Sequence, residues 1–110
     1  MKKHSRTKAC EISPDVKRIV YKRDGRCLMC GSGVREENAC CHLIPRSQGG
    51  MGVEKNILTL CQKCHREFDE GPDREYWTNW FNWYLTGIYG PIERSEVVYD
   101  KWEAIFGNQQ

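Results

Sequence analysis

No stretch of this 110-residue chain approaches the roughly 18 consecutive apolar residues that a membrane-spanning helix requires. Residues 1–11 are basic and polar and lack the apolar h-region of a secretory signal, which points to a reducing, cytosolic setting. Internal repeats and low-complexity segments are absent too, so neither a solenoid nor a compositionally biased tract is expected. The chain is also short. A domain of this size buries too little apolar surface to be comfortably stable alone, and a staple is expected to supplement the core.

The seven cysteines, Cys10, Cys27, Cys30, Cys40, Cys41, Cys61 and Cys64, can supply that staple. In a reducing compartment their spacing favours thiolate ligation over disulfides. Cys27-x-x-Cys30 and Cys61-x-x-Cys64 are two pairs, each able to grip one side of a tetrahedral ion. Four thiolates leave no coordination position for water or substrate, so a zinc ion there is expected to hold the fold and do no chemistry. A redox-active pair is the rival reading, but no βαβ pattern surrounds either pair. Cys10 and Cys40 are read as small hydrophobes.

The net charge of +2 conceals an asymmetry. Residues 1–30 carry nine Lys or Arg against three acids, whereas residues 61–110 carry five against nine. The basic end is read as a footprint for a phosphate backbone. Residues 1–11 are expected to be a flexible basic arm. Residues 12–110 are expected to be a single domain, with its core at about 21–71 and a C-terminal helical extension over 73–110.

Ser13-Pro14-Asp15 predicts a helix start, with Val16, Ile19 and Val20 facing the core and Gly25 as the stop. Lys17, Arg18, Lys22 and Arg23 are assigned to its outer face and, with the basic end, to the candidate DNA-facing set. Two short strands are expected, at about 39–44 and 56–60, around a long glycine-bearing loop. The second thiol pair opens a helix that Gly71-Pro72 ends. Asp73 caps a third, running to about Leu85 or Thr86 before Gly87, with Trp77, Trp80, Phe81 and Tyr84 on its buried stripe, Leu85 and Ile88 extending that stripe, and Tyr76 and Trp83 off it. The tail carries Val97, Val98, Tyr99, Trp102 and Ile105 and is expected to pack back as a short strand or helix.

Between the thiol pairs stand Cys41-His42-Leu43-Ile44-Pro45-Arg46-Ser47-Gln48-Gly49-Gly50 and Asn56-Ile57-Leu58-Thr59-Leu60-Cys61, followed by Cys64-His65. From about Tyr21 to Asp69 the chain resembles the HNH endonucleases, in particular the small HNH proteins of bacteriophages and prophages. The resemblance implies an α+β fold: a small ββα-metal domain with zinc knuckles and flanking helices. It implies metal-dependent hydrolysis of DNA phosphodiester bonds with a catalytic divalent ion (Mg²⁺, Mn²⁺, Ni²⁺ or Zn²⁺). It also implies a role in phage DNA processing or packaging, with packaging proteins as partners.

By the same resemblance, His42 is the base that activates water, Asn56 fastens the loop and orients the base, and His65 binds the catalytic metal. Asp69, one helical turn beyond His65, is a further candidate ligand. Position 41 departs from the family pattern, in which Asp or His is frequent. Cys41 is therefore either a thiolate ligand suited to softer ions or plain packing, and the reading leans to packing. Arg46, just after the base, is placed to meet a phosphate oxygen. The rival function is a zinc-stapled nucleic-acid-binding module that has lost its metal site at Cys41. Chelator-sensitive cleavage of plasmid DNA separates the two.

Overall fold

The computed structural model describes residues 5–100. In chain order these form α1 (Ser5–Cys10), α2 (Pro14–Asp24), β1 (Ala39–His42), β2 (Ile57–Thr59), α3 (Gln62–Glu70), α4 (Arg74–Tyr89) and the single turn α5 (Arg94–Val97). The architecture is α+β: one antiparallel two-stranded sheet with helices around it.

The start of α2 follows from its sequence. The Ser13 side chain accepts a hydrogen bond from the Val16 amide, Pro14 occupies the first turn, and Gly25 ends the helix in the left-handed region at φ 72°. Val20 is fully buried against Ala39 and Ile57, but Ile19 is 45% exposed and does not join the core as its sequence position suggested. At 100° per residue, the face that meets the short sheet is too narrow for both.

Ala39 pairs with Thr59, Cys41 with Leu58 and His42 with Ile57, and the register shifts between Ala39 and Cys41. This bulge at Cys40 sets where the next side chains go. Residues directly opposite one another share a face of the sheet, so Ala39 and His42 lie with Thr59 and Ile57, while Cys41 lies with Leu58 on the other face. The burial agrees: Ala39 and Ile57 pack toward α2, whereas Cys41 and Leu58 join Phe68 of α3 and Phe81 and Leu85 of α4 in the larger core. Without the bulge, Cys41 would face α2.

The strands are shorter than expected, ending at His42 and Thr59. Helix α4 is longer and runs through Gly87 to Tyr89, and Gly90 takes the positive φ of 77°. One glycine is tolerated inside a 16-residue helix whose Phe81 and Leu85 are fully buried. Phe68 and Phe81 meet edge to face at 5.3 Å between centroids. Ile88, at 46% exposed, lies outside this packing, and Tyr76 and Trp83 are exposed as their positions off the stripe implied. Asp73 stands at the N-cap of α4, with no side-chain capping bond.

Two termini differ from a simple reading. Residues 5–10, within the segment expected to be a loose arm, form α1, and Cys10 is buried with 2% exposure. The start of the tail combines both expected forms, since α5 is followed by Val98 pairing with Gly50. Trp102 and Ile105 lie outside the described residues.

Candidate active site

The end of β1, one face of α3 and the residues that follow α1 line a cleft of about 840 Å³. It is lined by His42 and Cys40 from β1, His65 and Asp69 from α3, and Lys17, Arg46 and Arg74. His42 reaches it from the last position of β1. Its Nε2 lies 2.8 Å from the carbonyl oxygen of Cys10. A carbonyl only accepts, so Nε2 carries the proton, and in the neutral ring Nδ1 is left with its lone pair free. Burial holds the imidazole below the ordinary histidine range, opposed by the Cys10 contact and assisted by the nearby Arg46 charge. A neutral imidazole at pH 7 can accept a proton from water.

Asn56 holds the loop after β1. Its side chain accepts from the Ile44 amide at 2.9 Å and donates to the carbonyls of Ile44 at 3.2 Å and Met51 at 3.0 Å. Its own carbonyl accepts from the Leu43 amide at 2.9 Å. The residue is 1% exposed, so its amide is satisfied by the backbone on both sides of His42's loop. Gly50 permits the tight return, because a Cβ there would lie 1.7 Å from the Ile44 oxygen.

Among the described residues, two side-chain groups can hold a metal ion. In the first, the sulfurs of Cys27, Cys30, Cys61 and Cys64 lie within 4.8 Å of one another, with Cys30 and Cys61 at 3.8 Å. Zinc–sulfur bonds of about 2.3 Å in a tetrahedron place sulfurs about 3.8 Å apart, so the donors fit such an ion. Ser32, 3.1 Å from Cys30, helps lower that thiol to about 6, and the Cys64 amide lowers Cys61, both toward the thiolate form a metal needs. The Cys61 side chain also caps α3.

In the second group, donor atoms of Cys41, His65 and Asp69 lie within 4.8 Å of one another beside the cleft. His65 and Asp69, one turn apart on α3, approach to 3.3 Å through Nε2 and Oδ2. Arg74 holds the other Asp69 oxygen at 3.2 Å and lies 4.3 Å above the Phe68 ring, which fixes the carboxylate from the far side. Cys41 is fully buried, and burial together with the Asp69 charge raises its thiol pKa in the protein alone. A bound cation would reverse that balance, because a coordinating thiol loses its proton.

The cations expected on the outer face of α2 divide. Lys17 lines the cleft, Arg18 pairs with Asp15 at 2.9 Å, and Lys22 is exposed. Arg23 is not on an outer face. Its side chain is 9% exposed and its guanidinium meets Asp24, the carbonyls of Glu54 and Ile57, and the Tyr89 hydroxyl. Its donors are spent inside the protein, so Arg23 is withdrawn from the DNA-facing set. Sequence reasoning missed Arg74, Glu11 and Ile12 as cleft residues and the Cys10 carbonyl as the partner of His42. No local pattern marks these, because they meet the site only through tertiary packing.

Residues 27–68 match the model of the HNH endonuclease family. Both thiol pairs, Cys41, His42, Asn56 and His65 fall inside the match, whereas α1, α2, Asp69, Arg74 and α4 fall outside it. Anaredoxin of Nostoc sp. (strain PCC 7120 / SAG 25.82 / UTEX 2576) is 37% identical over 46 residues, which cover 42% of this chain and 59% of that protein. The chain thus spans about three-fifths of the length of this curated relative. No solved structure matches the chain. The family match covers the segment that carries both thiol pairs and His42, and no more of the chain than that.

Proposed function

We propose that this protein is a metal-dependent DNA endonuclease, with a structural zinc on Cys27, Cys30, Cys61 and Cys64 and a separate catalytic ion on His65, Asp69 and Cys41. The observation that carries the reading is the meeting, at one cleft, of a half-buried histidine with one free ring nitrogen and a three-donor metal group.

Nδ1 of His42 takes a proton from the attacking water, and Asn56 keeps the loop that follows the base in place. A divalent ion held by His65, Asp69 and Cys41 would supply Lewis-acid stabilisation of the charge on the phosphate and the leaving oxygen. Arg46 and Lys17 attract the phosphate backbone at the cleft mouth, with Arg18 and Lys22 adding longer-range charge. Arg74 orients Asp69. A buried thiolate among the donors favours Zn²⁺ or Ni²⁺ over the harder Mn²⁺ and Mg²⁺. The grouping of four cysteine sulfurs as one metal donor set fits a cytosolic enzyme. The resemblance to small phage-encoded HNH proteins extends the reading to processing of phage DNA.

The proximity of Cys41 to His65 and Asp69 speaks against a binding module that has lost its metal site. Incubation of the purified protein with supercoiled plasmid and added Mn²⁺ or Ni²⁺ is the test. Relaxed and linear products that vanish with chelator are expected. DNA binding without cleavage under every metal would return the protein to the binding class.

A further inference from the structure

We propose that α1, which lies outside the segment matching the HNH family model, is the positioning element for His42: the Cys10 carbonyl accepts the Nε2 proton and fixes the tautomer in which Nδ1 is free. The inference rests on the reading of His42 as the base.

The last carbonyls of a helix have no partner within it. In α1 two of them are satisfied by the unit that carries the base. The Ala9 oxygen accepts the Gly52 amide at 3.0 Å, and the Cys10 oxygen accepts from His42 at 2.8 Å. Three further features hold α1 in place. Arg6 donates to the carbonyls of Arg46 and Ser47 at 3.0 and 2.7 Å, clamping the helix to the loop that follows the base. Cys10 is buried. Gly52 allows a close backbone approach, since a Cβ there would lie 2.0 Å from the Glu11 oxygen and 2.5 Å from its carbonyl carbon.

A neutral imidazole can carry its proton on either nitrogen, and only one tautomer leaves Nδ1 able to take a proton from water. A partner on the far nitrogen selects it, as outer partners do for histidines at metal sites. The chain beyond residues 27–68 therefore contributes to the site itself, besides adding positive charge.

Gly52→Ala is the wedge that tests this, because its methyl group must displace Glu11 and with it the Cys10 carbonyl. Arg6→Ala loosens the same helix at its first turn and serves if Gly52→Ala fails to fold. Zinc content and melting temperature establish that each variant is folded. Long-range ¹⁵N–¹H spectra of the full chain at about pH 8, above the ordinary histidine range, read the tautomer directly. The wild type should show His42 protonated on Nε2 alone. The folded variants should show a growing Nδ1-protonated population and a kcat for plasmid cleavage lower by about 10- to 100-fold, with DNA affinity within about 2-fold. A His42 that stays protonated on Nε2 alone in both folded variants, or that is protonated on Nδ1 in the wild type, overturns the proposal. If the wild type cleaves no DNA, the nuclease reading falls, while the spectra still decide whether α1 orients His42.

Discussion

Replacing Asp24 by alanine removes the acceptor that joins α2, β2 and α4. The Asp24 side chain is fully buried. Its Oδ1 accepts from Arg23 Nε and from the Tyr84 hydroxyl, each at 2.7 Å. Oδ2 accepts from Arg23 at 3.1 Å and from the Thr59 amide at 2.9 Å. In Asp24→Ala the guanidinium of Arg23 keeps the carbonyls of Glu54 and Ile57 but loses its counter-charge. Breaking a buried pair from one side costs about 3–5 kcal/mol, and the orphaned Thr59 amide puts the loss toward the upper end of that range. Set against a total of about 5–15 kcal/mol for a small domain, the zinc-loaded variant should melt roughly 15–30 °C lower or not fold at 37 °C.

Tryptophan fluorescence during thermal unfolding at saturating zinc measures the effect. Arg23→Ala should be destabilising as well, and the double variant Arg23→Met/Asp24→Leu should recover only part of the loss, because no charge is left buried without a partner while the Thr59 amide stays orphaned. A loss below about 1 kcal/mol for Asp24→Ala would refute the assignment of the pair to the core. It would also return Arg23 to the surface set, where its removal weakens DNA binding and leaves the melting temperature unchanged.

Other expectations concern the two metal groups and the base. Cys27→Ser or Cys64→Ser should release tightly bound zinc and unfold the domain, whereas His65→Ala should keep one zinc per chain and lose cleavage; metal analysis beside circular dichroism distinguishes the outcomes. Cys41→Ser should lower cleavage supported by Zn²⁺ and restore it with Mn²⁺, and full activity with every ion would make Cys41 packing alone. The base must be neutral, so cleavage should fall as pH drops through the pKa of His42. Because burial lowers that pKa, the acid limb of kcat/KM should lie below about 6.5, and a limb above that value would contradict the assignment.

Much of this was legible where the signal is local. Ser13-Pro14 and Gly25 bounded α2 because caps and proline act within one turn. The two Cys-x-x-Cys pairs announced a four-sulfur group because each pair brings its own donors together. Asn56 was recognisable through its motif, and its side chain does fasten the loop. What the sequence hid depends on distant partners. The bulge at Cys40, which turns Cys41 away from the face Ala39 shares with α2 and brings His42 onto that face, is a feature of strand pairing and leaves no mark in a four-residue strand. Arg23 looked like a surface cation because its counter-ion is its neighbour Asp24, while the groups that bury the pair come from residues 54–59 and from α4. Helix α1 looked like a loose arm because six mostly polar residues carry little apolar signal; its order comes from Cys10, Arg6 and the glycine it meets at position 52.

The central claim is that His42 acts on the substrate while the four-thiolate group only holds the fold. The most direct measurement compares initial rates of plasmid nicking by His42→Ala and wild type at equal zinc content and equal added divalent ion. A loss of at least 100-fold is predicted, with a melting temperature lowered by no more than the one hydrogen bond to Cys10, about 0.5–1.5 kcal/mol, accounts for. Nicking by His42→Ala within a few-fold of the wild type would contradict the account.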